Sequence, residues 1–314
     1  MITGVTQTVA IDARGRYWVL SAQALPQLFD STGRFITAVG RVGHGPGEFV
    51  RPIEVVPLSD TVVVLDASGR AVVLDADLAP VRTVTLTAGF FPVRVLRWPD
   101  TLIANGLVAS PGSAGWPLHR LSLAGNIDQV TASFGPDDGD LRPGTFPQLM
   151  QRIAVAKDGT FWTADWSRYR LTLWSGPGEM ARIFERRPAW FPRSRGAASL
   201  GAPDRPPDPA VTGIATDSGG LVWVFSKIAA PGWRRAWPKG IGPKDEAPLR
   251  TLAHEVLYRT MIEVLDTKAG RVVARATYDG LIMDALGIGR VAAYSVGVDG
   301  TPHVEILAVE LRRR

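Results

Sequence analysis

Within seven residues, Gly43 to Phe49, the chain places three glycines, a histidine and a glutamate in the order GHGPGEF. Such residues in a tight loop could cradle a phosphate through backbone N–H groups or contribute metal ligands. Both chemistries need more than the loop supplies. A phosphate loop relies on a Gly-Lys-Ser/Thr run and on the positive end of a helix, and neither that run nor a helical period follows Glu48. A metal needs several converging ligands. The four histidines, His44, His119, His254 and His303, fall in different stretches of the chain, and there are no cysteines, so no metal site, disulfide or cysteine nucleophile is expected. GPGEFVRP has a close relative at a second position, RPGTFPQL, and a ligand site is not expected twice whereas a structural device is. Glycine supplies left-handed backbone, proline restricts the chain, and phenylalanine can anchor the crossing.

Three further sets could carry chemistry. Trp233, Arg234, Arg235, Trp237 and Lys239 in PGWRRAWPKG interleave rings and cations, a pattern that grips single-stranded nucleic acid or fastens a loop to its scaffold. A polar residue recurs near the end of one apolar run in each repeat, at Ser21, Asp66, Asn105, Asp165, Ser226 and Ser295. Turn capping through side-chain to backbone bonds is the expected use. The third set is a column that emerges only when the repeats are aligned.

Those repeats dominate the sequence. A turn of Asp, Gly, Pro or Lys followed by a short apolar strand occurs six times, as DARGRYWVL, PLSDTVVVLD, WPDTLIAN, KDGTFWTAD, DSGGLVWVF and GIGRVAAYS. A third strand follows each, and in five repeats a fourth. An inner strand precedes each turn: TQTVAID, RPIEVVP, FPVRVLR, MQRIAVA, AVTGIAT and LIMDALG. Four antiparallel strands repeated six times close radially, so the expected fold is an all-β, six-bladed β-propeller in a single domain over 1–314. The blades are expected at 6–40, 51–87, 91–134, 149–185, 210–278 with an insertion at 229–259, and 281–311. Ile2 to Val5 should supply the last blade's missing fourth strand. Leu249, Leu252, Ala253, Val256 and Leu257 follow a helical ladder, predicting one short helix in the insertion.

Aligned on these inner strands, the column reads Thr8, Glu54, Arg94, Arg152, Gly213 and Asp284. Charges lining a propeller channel must be paired, hydrated or ligand-bound. They predict either a self-neutralised ring or a ligand site in which Arg94 and Arg152 hold a carboxylate or phosphate while Glu54 and Asp284 meet a cation or hydroxyls.

The stretch GRFITAVGRVGHGPGEFVRPIEVVPLSDTVVVLDASGRAVVLD resembles the bacterial six-bladed propellers related to NHL repeats, in which a G-x-G-x-G-E-F-x-x-P junction precedes a strand ending in Asp. The match is specific over Phe29 to Asp75. It implies the fold and a binding or scaffolding role toward a small polar ligand or protein partner, with no catalytic residues. Similar propellers host metal-dependent lactonases and lyases, and some NHL propellers bind RNA, so these are the alternative functions. The two acids of the column lie beside two arginines that would repel a metal.

A net charge of +5 over 314 residues permits anionic partners without requiring them. No apolar run reaches the roughly 20 residues of a membrane span. The start carries no basic stretch followed by an apolar one, so the chain is expected to stay inside, or to be exported, as many relatives of the resembled family are, if its true start lies upstream. A soluble monomer without cofactor is expected, with nucleic acid outside its expected partners.

Overall fold

The repeats fold as sheets. The computed structural model describes residues 6–21, 25–86, 90–98, 101–108, 118–122, 127–129, 151–156, 158–176, 179–192, 204–237, 257–287, 289–297, 299 and 301–312. The chain divides into two compact units, Met1–Arg142 and Pro143–Arg314.

The first unit holds three sheets. They are β1 (Thr6–Ile11), β2 (Tyr17–Ser21), β3 (Gln27–Phe29) and β4 (Phe35–Ala38); then, after the short β5 (Arg41–Val42) and β6 (Glu48–Phe49), β7 (Pro52–Pro57), β8 (Thr61–Asp66), β9 (Arg70–Asp75) and β10 (Pro80–Thr85); then β11 (Phe90–Trp98), β12 (Thr101–Val108), β13 (Leu118–Leu121) and β14 (Ile127–Gln129). The second unit holds β15 (Gln151–Val155), β16 (Phe161–Asp165), β17 (Arg170–Gly176) and β18 (Glu179–Glu185); β19 (Ala210–Thr216), β20 (Val222–Ala229), β21 (Tyr258–Asp266) and β22 (Arg271–Tyr278); and β23 (Leu281–Ala285), β24 (Arg290–Val296) and β25 (Pro302–Ala308).

Apart from the two-stranded β5–β6 pair, each sheet is a meander in sequence order, four-stranded in five cases and three-stranded in the sixth among the described residues. The fold is an all-β, six-bladed β-propeller. Inner strands of neighbouring sheets lie side by side, β7 against β1 and β11 in the first unit, β19 against β15 and β23 in the second. Apolar faces fill the gaps: Trp18, Leu28 and Phe49 with Val55 and Val64 between the first two sheets, and Val211, Ile214 and Val224 with Leu171 and Tyr169 between the fourth and fifth. Ile2–Val5, expected to complete the sixth sheet, lie outside the described residues, as does the ladder Leu249–Val256. The helix that is described, α1 (Trp233–Ala236), stands in the expected insertion but upstream of that ladder.

Local chemistry explains the punctuation. In the first β1–β2 turn the Asp12 carboxylate accepts from the backbone N–H of Arg14 and Arg16 and from Trp18 Nε1 (3.0 Å). Asp217 repeats this with Gly219, Leu221 and Trp223 Nε1 (3.2 Å). One side chain thus sets a turn and pins the ring of the following strand.

The glycine loop is the same kind of device. β5 pairs in parallel with β6, and Glu48 turns back so that its Oε2 accepts from Gly45 N–H at 2.8 Å. Arg70 donates to the carbonyls of His44, Gly43 and Glu48, and Asp66 accepts from Val50 and Arg51 N–H. Gly40 (φ 82°) allows the Phe49 ring to sit where a Cβ would lie 2.4 Å from it, and Phe49 is fully buried. The loop's carboxylate is therefore spent on the loop itself, and its aromatic locks two sheets together. Phe191 is buried in the same manner at the junction after the fourth sheet, while the second loop, RPGTFPQL, lies outside the described residues.

Candidate functional site

The inner-strand column is real in register. In five of the six inner strands a bulge falls immediately before the column residue, between Thr6 and Thr8, Pro52 and Glu54, Pro92 and Arg94, Val211 and Gly213, and Ile282 and Asp284. A bulge re-aims the side chain that follows it. In the first unit Thr8, Glu54 and Arg94 are buried, and Arg94 Nη1 stands 3.7 Å from Glu54 Oε1. The other carboxylate oxygen of Glu54 accepts from Val95 N–H at 3.3 Å, so this acid ties two inner strands. In the second unit Asp284 accepts from Ala285 N–H at 2.8 Å. Gly213 brings its strand against β23, since a Cβ there would lie 3.1 Å from Ala285 N. Arg152 is half-buried and its Nε donates to the Val211 carbonyl at 3.5 Å.

The second-strand column needs correction. Register places Ser21, Asp66, Asp165 and Ser226 equivalently, but Gly106 and Ala293 occupy that position in the third and sixth sheets, not Asn105 and Ser295. Turn capping holds for Asp66, which accepts from Ser68, Val50 and Arg51 N–H. Ser21 and Ser226 are buried hydroxyls without a hydrogen-bond partner among the described residues, so capping is not their use.

One residue beyond Ser226, Lys227 forms the site that pattern reading misses. It stands opposite Ala210 on β19 and Thr260 on β21, at the end of the fifth sheet from which both long segments, before Ala210 and after Ala229, emerge. Lys227 is only 7% exposed. Its ammonium lies 4.5 Å from the Tyr258 ring and 5.5 Å from the Trp166 ring, and no oxygen among the described residues accepts a hydrogen bond from it. Val211, which receives the Arg152 bond, is the neighbour of Ala210 and donates its own N–H to the Trp166 carbonyl at 2.9 Å. Burial lowers the Lys227 pKa to about 8; the Arg152 guanidinium pushes the same way and the Asp208 carboxylate opposes. The Tyr258 hydroxyl is driven well above the usual phenol range by burial and by Asp208.

The insertion roofs this site. Trp237 is 9% exposed and packs on Leu257 and Tyr258. Trp233 meets Trp237 edge-on at 6.5 Å, and Arg234 stacks over Trp233 at 5.3 Å, with Arg235 exposed beside it. The rings thus fasten the insertion to the sheet. Tyr258 thus touches both the Lys227 ammonium and the Trp237 cluster, and Arg152 acts on Lys227 electrostatically.

A second buried charge lies on the neighbouring strand. Glu263 of β21 is fully buried. It accepts from Tyr169 Oη at 2.5 Å and Arg186 Nη1 at 2.7 Å on one oxygen, and from Arg275 Nε at 2.8 Å and Nη2 at 2.5 Å on the other. Arg186 also stacks over the Tyr169 ring, which meets Trp190 and Phe191 edge-on. This carboxylate is saturated, and it clamps the fourth sheet to the fifth.

No protein-family model matches the sequence, and no curated protein matches it. Solved structures share its fold. A structure of U3-55K is 11% identical with a TM-score of 0.53, the likeness covering 94% of this chain and 76% of that one. The Pan2 WD40 domain of Neurospora crassa is 10% identical with a TM-score of 0.50, over 96% and 75%. A virginiamycin B lyase from Staphylococcus aureus is 10% identical with a TM-score of 0.48, over 99% and 86%. At such identities the first two likenesses extend to the propeller architecture.

Proposed function

We propose that this protein is a recognition propeller, related to the bacterial NHL-type propellers, that binds a small anionic ligand at the insertion-bearing end of its fifth blade. The single observation that supports this is Lys227: a cation removed from water, flanked by two rings, beside Arg152, and without an oxygen partner among the described residues. An unpaired buried ammonium costs several kcal/mol, and cation–π contact returns only about 2 kcal/mol or less at each ring. A carboxylate or phosphate held beside Nζ and Arg152 would supply the missing negative charge. Of the sequence-derived column, Arg152 belongs to this reading as a second cation. Glu54 and Arg94 pair with each other, and Glu54 and Asp284 accept from the backbone N–H of Val95 and Ala285.

The alternatives draw less support. A metal-dependent lyase or lactonase needs carboxylates around an open coordination position, whereas Glu54 faces a guanidinium. Nucleic-acid stacking needs exposed ring faces, whereas Trp237 is buried on Tyr258.

The test is thermal denaturation of the full chain with acetate, lactate, citrate and inorganic phosphate, because a ligand that binds only the folded state raises the melting temperature. At least one anion should raise it, and Lys227→Met should abolish the shift. Equal shifts in both proteins would overturn the proposal.

A further inference from the structure

Resting on that reading, we propose that Lys227 is a carbonyl-capturing amine and that the ligand is a small oxo acid, its carboxylate held by Arg152 and its carbonyl carbon presented to the lysine Nζ. Geometry supports this beyond simple charge pairing. The chain has five lysines among its 35 basic residues, Lys157, Lys227, Lys239, Lys244 and Lys268. Among the described residues, the cations paired with buried acids are arginines, as at Arg94, Arg186 and Arg275. Arginine is the better choice for a permanent buried charge, because it does not deprotonate and donates in a fixed fork. Lysine at 227, more buried than Arg186 or Arg275, breaks that habit where the surroundings are two rings, the Arg152 guanidinium and the opposing Asp208 carboxylate. A desolvated lysine next to a cationic group is the arrangement that makes an amine nucleophilic near neutral pH. With its pKa near 8, about half of the Lys227 amines are neutral at that pH, against roughly one in a hundred or fewer for an ordinary lysine. The neighbours that set this balance are Arg152 and Asp208, with the Tyr258 hydroxyl held protonated.

The covalent step balances without an oxidant or reductant. The amine lone pair attacks the carbonyl carbon, a C–N bond forms, and the carbonyl π pair moves to oxygen. A proton passes from nitrogen to that oxygen, giving a carbinolamine. A second proton, from solvent, lets the hydroxyl leave as water while the nitrogen lone pair closes the C=N bond, leaving a protonated imine. Arg152, on the inner strand of the neighbouring sheet, pairs with the carboxylate of the acid throughout.

The full chain is incubated with pyruvate and sodium borohydride, which reduces any imine to a stable secondary amine, and the adduct is located by peptide mapping. Lys227 should carry a carboxyethyl group at about tenfold or greater occupancy than the exposed Lys268. Acetone, a carbonyl without a carboxylate, should label it at least about tenfold less. Lys227→Arg keeps the cation but has no amine that can form an imine, and should lose selective labelling. Labelling of Lys227 no greater than that of Lys268 overturns the carbonyl-capture proposal. If lactate still shifts the melting temperature in that event, anion recognition stands alone; if no anion does, both readings fall.

Discussion

Glu263 and Lys227 lie on adjacent strands of one sheet, both taken out of water, and they are treated in opposite ways. Glu263 accepts four hydrogen bonds from three side chains, so each oxygen of the carboxylate is satisfied. Lys227 meets two π faces and no oxygen among the described residues. A buried charge that the protein itself completes is a fastening; one left incomplete costs stability, and it is there that the proposed ligand would bind. The difference separates architecture from function more sharply than burial or charge alone.

The largest expected effect is at the fastening. Glu263→Ala leaves Arg186 and Tyr169 without their acceptor at the joint between the fourth and fifth sheets, and should cost about 3–5 kcal/mol in urea denaturation. A loss under about 1 kcal/mol would mean that solvent reaches the two arginines freely, and the contrast with Lys227 would disappear.

The opposite sign is expected at Lys227. Replacing it with methionine removes a desolvated charge and keeps the volume, so Lys227→Met should be more stable than the natural chain by about 2–3 kcal/mol at pH 7, while losing anion binding. The difference should depend on pH in a defined window. The folded pKa, near 8, is below the unfolded value of 10.5, so between those values the unfolded state holds more protons and the natural chain gains stability as pH rises. Below about pH 8 the charged lysine is penalised in full and the advantage of methionine is constant. From there to about 10.5 the advantage shrinks toward zero. Paired urea titrations from pH 7 to 10.5 measure it, and a pH-independent difference would show that Lys227 is not desolvated.

Much of the architecture was legible because its causes are local. Asp-x-Gly turns, period-two alternation and the Gly-Phe-Pro junctions act over a few residues, and Asp12, Asp217 and Phe49 do what their sequence neighbourhoods imply. Counting along the second strand alone fails. Asn105 stands opposite Arg94 and Ser295 opposite His303, out of step with Asp66 opposite Pro52, because a strand's own alternation does not fix its register against its neighbour. The site was legible only in fragments. Arg152 and Trp237 stood out by type, but Lys227 is one residue past a repeating serine inside an apolar strand, and what makes it unusual comes from Trp166 in another sheet and Tyr258 beyond an insertion. Glu263 was hidden likewise: its arginines lie on β22 and beyond the end of β18, and its tyrosine lies just before β17.

A smaller change probes how completely Glu263 is satisfied. Tyr169→Phe keeps the ring that packs on Trp190 and Phe191 and removes only the hydroxyl, whose pKa is raised far above 10 by burial and by the carboxylate it serves. The carboxylate then keeps its three guanidinium bonds, so the loss should be about 1–2 kcal/mol, well short of Glu263→Ala. Combined with Glu263→Gln, the two losses should be non-additive by about 1 kcal/mol or more, because the hydroxyl and the carboxylate are direct partners. If Tyr169→Phe alone matched Glu263→Ala, the clamp would depend on one donor rather than on saturation, and the buried acid would be nearly as incomplete as the buried lysine beside it.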